Sequence, residues 1–185
     1  MGNEANCQLM LLEQFKEVLK LGKSSCIRSW KNQIISELSQ DDDIIRALGL
    51  SDDESPDDLV WKRIFPHYYV PRTEENVRTY ILVEINIPER RLRYGTIESN
   101  IWVHPTIIFY VLTHQEDMHM NMAGESGTRM DYIAELIEDK YEDREGFGVG
   151  ILQLKSDVAG SVNDTYRFRE LVFDAVDLND DICEG

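Results

Sequence analysis

Thr79-Tyr80-Ile81-Leu82-Val83-Glu84-Ile85-Asn86-Ile87 alternates strictly: Ile81, Val83, Ile85 and Ile87 fall on one side of an extended chain, Tyr80, Leu82, Glu84 and Asn86 on the other. This period of two describes a strand with one buried face and one mixed face. Residues 101–114 follow, apolar on both faces through Ile107, Ile108, Phe109, Tyr110, Val111 and Leu112, the pattern of a strand central in its sheet. The period then changes. In residues 129–141 Met130, Ile133, Ala134, Ile137 and Tyr141 recur at helical spacing, with Thr128 placed to cap and Asp131 in the first turn. Gly146, Gly148 and Gly150 interrupt the chain before a strand at 151–156, and residues 165–178 alternate Leu171, Phe173 and Ala175 against Phe168, Val172 and Val176. Strand, strand, helix, strand, strand defines an α+β protein whose centre is one β-β-α-β-β sheet-and-helix module.

Ahead of that module, residues 1–58 read as a helical, acidic extension, and 59–185 as the α+β domain. Leu9, Leu12, Phe15, Val18 (or Leu19) and Leu21 form a helical stripe stopped by Gly22; Ile27, Trp30, Ile34 (or Ile35) and Leu38 form a second, capped by Ser24 or Ser25. A short apolar turn at 44–48 lies within the acidic stretch, which ends in Ser55-Pro56-Asp57-Asp58, a cap with proline at the first helical position. A single helical turn is expected over 59–65. The stretch Ile64-Phe65-Pro66-His67-Tyr68-Tyr69-Val70-Pro71 is the densest in aromatic rings, and its prolines forbid regular helix. It reads as an extended arm clamped to the domain or to a neighbour, with Phe65, Tyr68 and Tyr69 as its contact residues.

The net charge of −16 is concentrated in residues 41–58, 131–145 and 174–185. Such a chain does not hold nucleic acid by counterion release, which requires clustered Lys and Arg; its acidity suits a solvated surface, or one that DNA passes without sticking. Cys7, Cys26 and Cys183 are odd in number and lack metal-ligand spacing, so no disulfide framework or zinc site is indicated. The longest apolar run, 107–112, is far short of the roughly 20 residues that cross a bilayer, and the first residues do not resemble a signal peptide.

No segment carries a catalytic constellation. Phosphate-cradling glycines lie between a strand and a helix N-terminus, whereas Gly146, Gly148 and Gly150 stand between a helix and a strand. Asp131, Glu135, Glu138 and Glu142 line one helical face, a solvated stripe without a histidine to complete a metal-ligand set. His114, His119, Met118, Met120 and Met122 crowd residues 114–122; alternating methionines can take Cu(I), but they are also adaptable packing material for a partner, and a mobile contact loop to about Gly127 is the expectation. Neither Cys26 and Cys183 nor the serines stand in a motif that activates a nucleophile, with His67 and His104 the available bases. The expectation is a protein without enzymatic activity, metal or cofactor. Arg90, Arg91 and Arg93 form the basic cluster of the chain, in the connection between the first two strands, either a tip that pairs with an acidic surface on a neighbouring copy or a plain solvated loop.

The stretches Asp58-Leu59, Arg63-Ile64-Phe65-Pro66, Pro71 and Thr79-Tyr80-Ile81, then Gly148-Val149-Gly150-Ile151-Leu152-Gln153-Leu154, Tyr166, Arg169 and Val172-Phe173-Asp174-Ala175-Val176-Asp177-Leu178-Asn179, resemble neck proteins of tailed bacteriophages over roughly residues 59–179. Adaptors of that group are mainly helical and stoppers are small β-barrels; the element order here resembles tail terminators. The resemblance implies a ring, typically a hexamer, at the head-to-tail junction of the virion, assembled in the host cytoplasm. It implies contacts with other neck, portal-side and tail proteins, and DNA passing through. The N-terminal extension is longer than a minimal terminator needs and leaves room for a connector role in a short-tailed virus. In such a ring the DNA-facing acids would be Asp174, Asp177, Asp180 and Asp181, with Glu184, or the helix face Asp131, Glu135 and Glu138. The rival expectation is a small acidic adaptor or inhibitor that binds a host or viral protein; a third is a metal-dependent hydrolase using the acidic helix.

Overall fold

A computed structural model describes residues 23–50, 55, 58–71, 77–93, 100–120, 127–148 and 150–176. Helices α1 (Lys23–Ser39) and α2 (Asp42–Leu48) precede strands β1 (Ile64–Phe65), β2 (Thr79–Arg93) and β3 (Asn100–His114), a 3-10 turn (Gln115–Asp117), helix α3 (Arg129–Tyr141), and strands β4 (Ile151–Ser161) and β5 (Tyr166–Val176). The sheet runs β1-β2-β3-β5-β4, with β1 parallel to β2 and every other pair antiparallel. The α+β class and the β-β-α-β-β order read from the sequence are the observed ones.

The strand that is apolar on both faces takes the inner place that its composition demands. Residues of β3 pair with β2 from Thr113 to Asn100 and with β5 from His114 to Thr106. Toward the helices it sends Ile107, Phe109 and Val111, which join Ile81, Val83 and Ile85 of β2 and Leu171, Phe173 and Ala175 of β5 in the main core. The apolar stripe of α3, Met130, Ile133, Ala134, Ile137 and Tyr141, lies on this face, as do Ile34, Ile35 and Leu38 of α1 and Ile44, Ala47 and Leu48 of α2. The two helices ahead of Leu59 therefore share one core with the sheet. Local signals set their ends: Asp41 accepts from the N–H groups of Asp43 and Ile44 at the start of α2, Gly49 ends it in the left-handed region at φ 60°, and Thr128 accepts from the Asp131 N–H at the start of α3.

The other side of the sheet carries a second, smaller core of Phe65, Tyr80, Leu82, Leu112 and Tyr166, against which Tyr69, Tyr110, Val162 and Phe168 pack. The face of β2 expected to be mixed is thus buried at Tyr80 and Leu82, because the chain after β1 folds back over it.

Three local expectations change. The helical turn expected over 59–65 is instead a tight turn in which the Leu59 carbonyl accepts from the N–H groups of Lys62, Arg63 and Ile64, and Ile64 and Phe65 then extend to pair with Ile81 and Leu82; Pro66 disfavours helical geometry at Phe65, and a free strand edge lies alongside. Second, β2 does not end at Ile87: a register shift between Asn86 and Glu89 absorbs Pro88, which an edge strand tolerates, and pairing resumes to Arg93. Arg90, Arg91 and Arg93 consequently belong to a strand, and residues 94–99 at the tip lie outside the described residues. Third, β4 extends to Ser161 across a shift between Leu154 and Ser156. The helix expected over 7–22 also lies outside the described residues.

Candidate functional site

Three surfaces stand out among the described residues: the aromatic arm at one sheet edge, the β2–β3 hairpin, and the acidic groups around α3 and β5.

The arm is held from both ends. Phe65 is buried and stacks on Tyr69 with centroids 4.3 Å apart, while Tyr69 meets Tyr80 edge-on at 5.9 Å. Lys31 of α1 donates to the Pro66 carbonyl at 2.7 Å and to Glu84 at 2.9 Å, and the other Glu84 oxygen accepts from the Tyr68 N–H at 2.8 Å. Of the three arm residues, Tyr68 faces solvent while its ring lies edge-on to Tyr110 at 5.1 Å. The arm is therefore clamped by this domain's own residues and presents Tyr68, His67 and the preceding Trp61 outward. Trp61 escaped the sequence reading because it sits in a turn without periodicity; the signal available was a tryptophan among charged residues, Val60-Trp61-Lys62.

The pairs between β3 and β5 run to Thr106 and Asp174, and His104 Nδ1 lies 3.2 Å from the Ala175 carbonyl, while β2 and β3 pair on as far as Arg93 and Asn100. Arg90, Arg91 and Arg93 lie on this last part of β2.

The segment expected as a mobile loop after β3 is partly built into the domain. Gln115 N–H donates to Thr165 O, Arg129 N–H to Met118 O, and Arg129 Nε to Asp117 O at 2.9 Å. Thr79 Oγ1 also donates to Asp117 at 2.7 Å. Met118 packs against the main core, Met120 is buried and His119 bridges to Thr128, whereas Met122 lies outside the described residues.

The acidic groups divide by partner. Asp131 accepts from Thr128 and pairs with Arg169, which also grips Asp157 with two bonds of 2.6 Å. Asp174 accepts from Thr106 Oγ1 at 2.6 Å and from Lys155 Nζ at 2.5 Å; burial opposes its ionisation, but these donors outweigh burial and hold its carboxyl below the usual range. Glu135 is exposed and Glu138 half-buried. Asp177, Asp180 and Asp181 lie outside the described residues. No group of three or more His, Cys, Asp or Glu among the described residues is placed to hold a metal ion, and no described helix is long and apolar enough to cross a membrane.

A separate ion cluster fastens α1 to the end of α3. Arg144 donates to both Glu37 oxygens, at 2.7 and 2.5 Å, Tyr141 OH donates to the same carboxylate at 3.1 Å, and Lys140 reaches Asp41 at 2.6 Å. Burial disfavours the charged Glu37, yet the Arg144 and Gln33 bonds more than compensate, so its pKa lies below the ordinary value. With the folded-state pKa depressed, the stabilisation exists above the unfolded value and disappears as pH falls through the folded one. Glu37→Gln is expected to cost about 1 kcal/mol at pH 7 and to lose less further stability than the parent below roughly pH 4. Denaturant titrations at pH 7 and at acid pH check this; parallel pH dependence in both proteins would refute it.

The architecture is that of a small α+β module whose outward features are surfaces. The model of the YomW family matches residues 39–175, and the chain belongs to that family. The family carries a phage-derived, SPbeta-like name, so the chain is a phage-associated protein. No curated protein and no solved structure matches it.

Proposed function

We propose that the chain is a non-enzymatic structural subunit of a phage virion, a ring-forming neck protein of the tail-terminator kind through which DNA passes. The observation that carries this reading is the sheet β2-β3-β5-β4 with α3 across one face, formed by a strand-strand-helix-strand-strand order in a chain of a phage-associated family. A hexamer at the head-to-tail junction, assembled in the host cytoplasm before joining the virion, is the arrangement proposed.

The net charge of −16 fits the passage of DNA, because an acidic lumen repels the phosphate backbone whereas a basic one would retain it. Replacing Asp131, Glu135 and Glu138, or Asp174, Asp177, Asp180 and Asp181, with Asn and Gln is expected to slow DNA ejection from otherwise complete particles for whichever set faces the lumen. Unchanged ejection for both sets would reduce the acidity to a solubilising surface.

The identity itself is tested by locating the chain in purified particles through an affinity label visible by electron microscopy. The expected result is a closed ring between head and tail. A chain missing from virions, or placed elsewhere on them, would overturn the proposal.

A further inference from the structure

The two most exposed large apolar side chains among the described residues, Trp61 at 61 % and Val158 at 50 %, lie at opposite edges of the same sheet. Trp61 is also strained. Its φ is 70°, in the left-handed region that a side chain with a Cβ adopts at a cost. The turn enforces this: Trp61 N–H closes on the Ile64 carbonyl at 3.0 Å while the Leu59 carbonyl gathers three donors. The Trp61 ring lies against His67, with centroids 5.7 Å apart, and otherwise faces outward. A glycine would satisfy this backbone without strain and without exposing an indole, so neither the turn nor the core accounts for tryptophan here.

At the far edge, the first half of β4 is covered: Asp143 N–H donates to Leu152 O, Leu152 N–H to Arg144 O, and Leu154 N–H to Glu142. From Lys155 to Ser161 the outer side of the strand carries no backbone partner among the described residues. Val158 and Ala159 are exposed there, and the Phe168 ring beside them lies over Gly160.

We infer that Trp61 of one copy seats on the Val158–Ala159 stretch of β4 in the next copy, forming a head-to-tail interface between subunits. The inference rests on the ring-forming reading above and supplies its contact surface. Because knob and seat occupy opposite edges, the contact cannot be self-complementary; it propagates from copy to copy and closes when the rotation permits. Tryptophan is the residue type that most often anchors such contacts. Charge at the rim agrees: Asp58 near Trp61 and Lys155 near Val158 are exposed and opposite in sign, each paired now only at the surface of its own chain. Sixteen net negative charges per copy oppose association, so moderate salt should favour it.

The test uses the full chain with Cys7→Ser, Cys26→Ser and Cys183→Ser. Adding Asp58→Cys and Lys155→Cys together, with Trp61 and Val158 kept, should give, on oxidation, a ladder of cross-linked species ending in a closed ring, whereas either cysteine alone gives no cross-link. Trp61→Gly should melt at or above the parent temperature while raising the concentration needed for assembly by about thirty-fold, the factor expected for an anchor residue. Single-cysteine dimers, or a Trp61→Gly protein that assembles like the parent, would overturn the interface; with parent rings still present, the ring reading survives. A parent that stays monomeric across concentration and salt, with no ladder, removes both. Normal rings in Trp61→Gly combined with failure to enter particles would assign Trp61 to a different protein and likewise overturn the inference.

Discussion

Replacing Phe109 by alanine is expected to destabilise the domain by about 4 kcal/mol, within the roughly 3–5 found when a buried phenylalanine is truncated. Its ring projects from inner strand β3 toward the helices and lies 4.9 Å from Tyr141 of α3 and 5.7 Å, edge-on, from Phe173 of β5. All three rings are fully buried. Truncation thus opens a cavity where strand, strand and helix meet, and the surrounding backbone is fixed on both sides by sheet pairing and cannot collapse into it. For a domain of this size each kcal/mol shifts the melting temperature by about 2–4 °C, so a fall of about 8–16 °C is expected. The neighbouring Tyr110→Ala is the control: that ring is on the opposite, half-exposed face against Tyr68 and Phe168, and its loss should cost less than half as much. Thermal melts of the two variants with similar midpoints would contradict a core centred on the helix side of β3.

What the sequence made legible was periodic. Alternation through Ile81, Val83 and Ile85, the doubly apolar run in β3 and the helical spacing in α3 each record burial directly, the run in β3 because its two faces meet two different cores. Thr128 marked the start of α3 by chemistry that needs no tertiary information. The two-residue strand β1 was not legible: Ile64 and Phe65 are too short a run to display any period, and their extension depends on a partner edge supplied by Ile81 and Leu82, seventeen residues later. The same limit applied to the 3-10 turn after β3. Gln115-Glu116-Asp117 looks like a solvated loop, and only the Thr79 hydroxyl and the Arg129 side chain, both distant in sequence, draw Asp117 into the fold.

Candidate contact residues were harder to read than the fold because an aromatic ring has the same letter whether it faces inward or outward. Phe65 and Tyr69 stack within the domain, yet His67 and Tyr68 between them face solvent. Trp61 had no periodic context at all, and its exposure follows from a backbone turn built by Leu59 and Ile64. Charge was legible in amount but not in pairing: Asp131 and Glu135 belong to one stripe in the sequence, while the fold gives Asp131 an arginine and leaves Glu135 in solvent.

The second large effect is expected at Gly49, where Gly49→Ala should cost about 3 kcal/mol from two separable sources. The residue ends α2 at φ 60°, and an alanine held there loses about 1–2 kcal/mol to steric strain. Its new Cβ would also collide with the Arg129 guanidinium, which donates to the Ala47 carbonyl at 2.5 Å and thereby ties the end of α2 to the start of α3. A charge-assisted bond of that kind is worth about 1.5–3 kcal/mol, only part of which is lost because the arginine keeps its bond to the Asp117 carbonyl. Asparagine separates the sources, since it tolerates left-handed backbone better than alanine but carries the same Cβ. If the collision dominates, Gly49→Asn is nearly as destabilising as Gly49→Ala, and both lose most of their excess cost in an Arg129→Met background, where no guanidinium remains to be displaced. A double-mutant cycle by urea denaturation measures that coupling. Additive costs, with asparagine well tolerated, would mean that Gly49 serves the backbone turn alone and that Arg129 holds the two helices together independently of it.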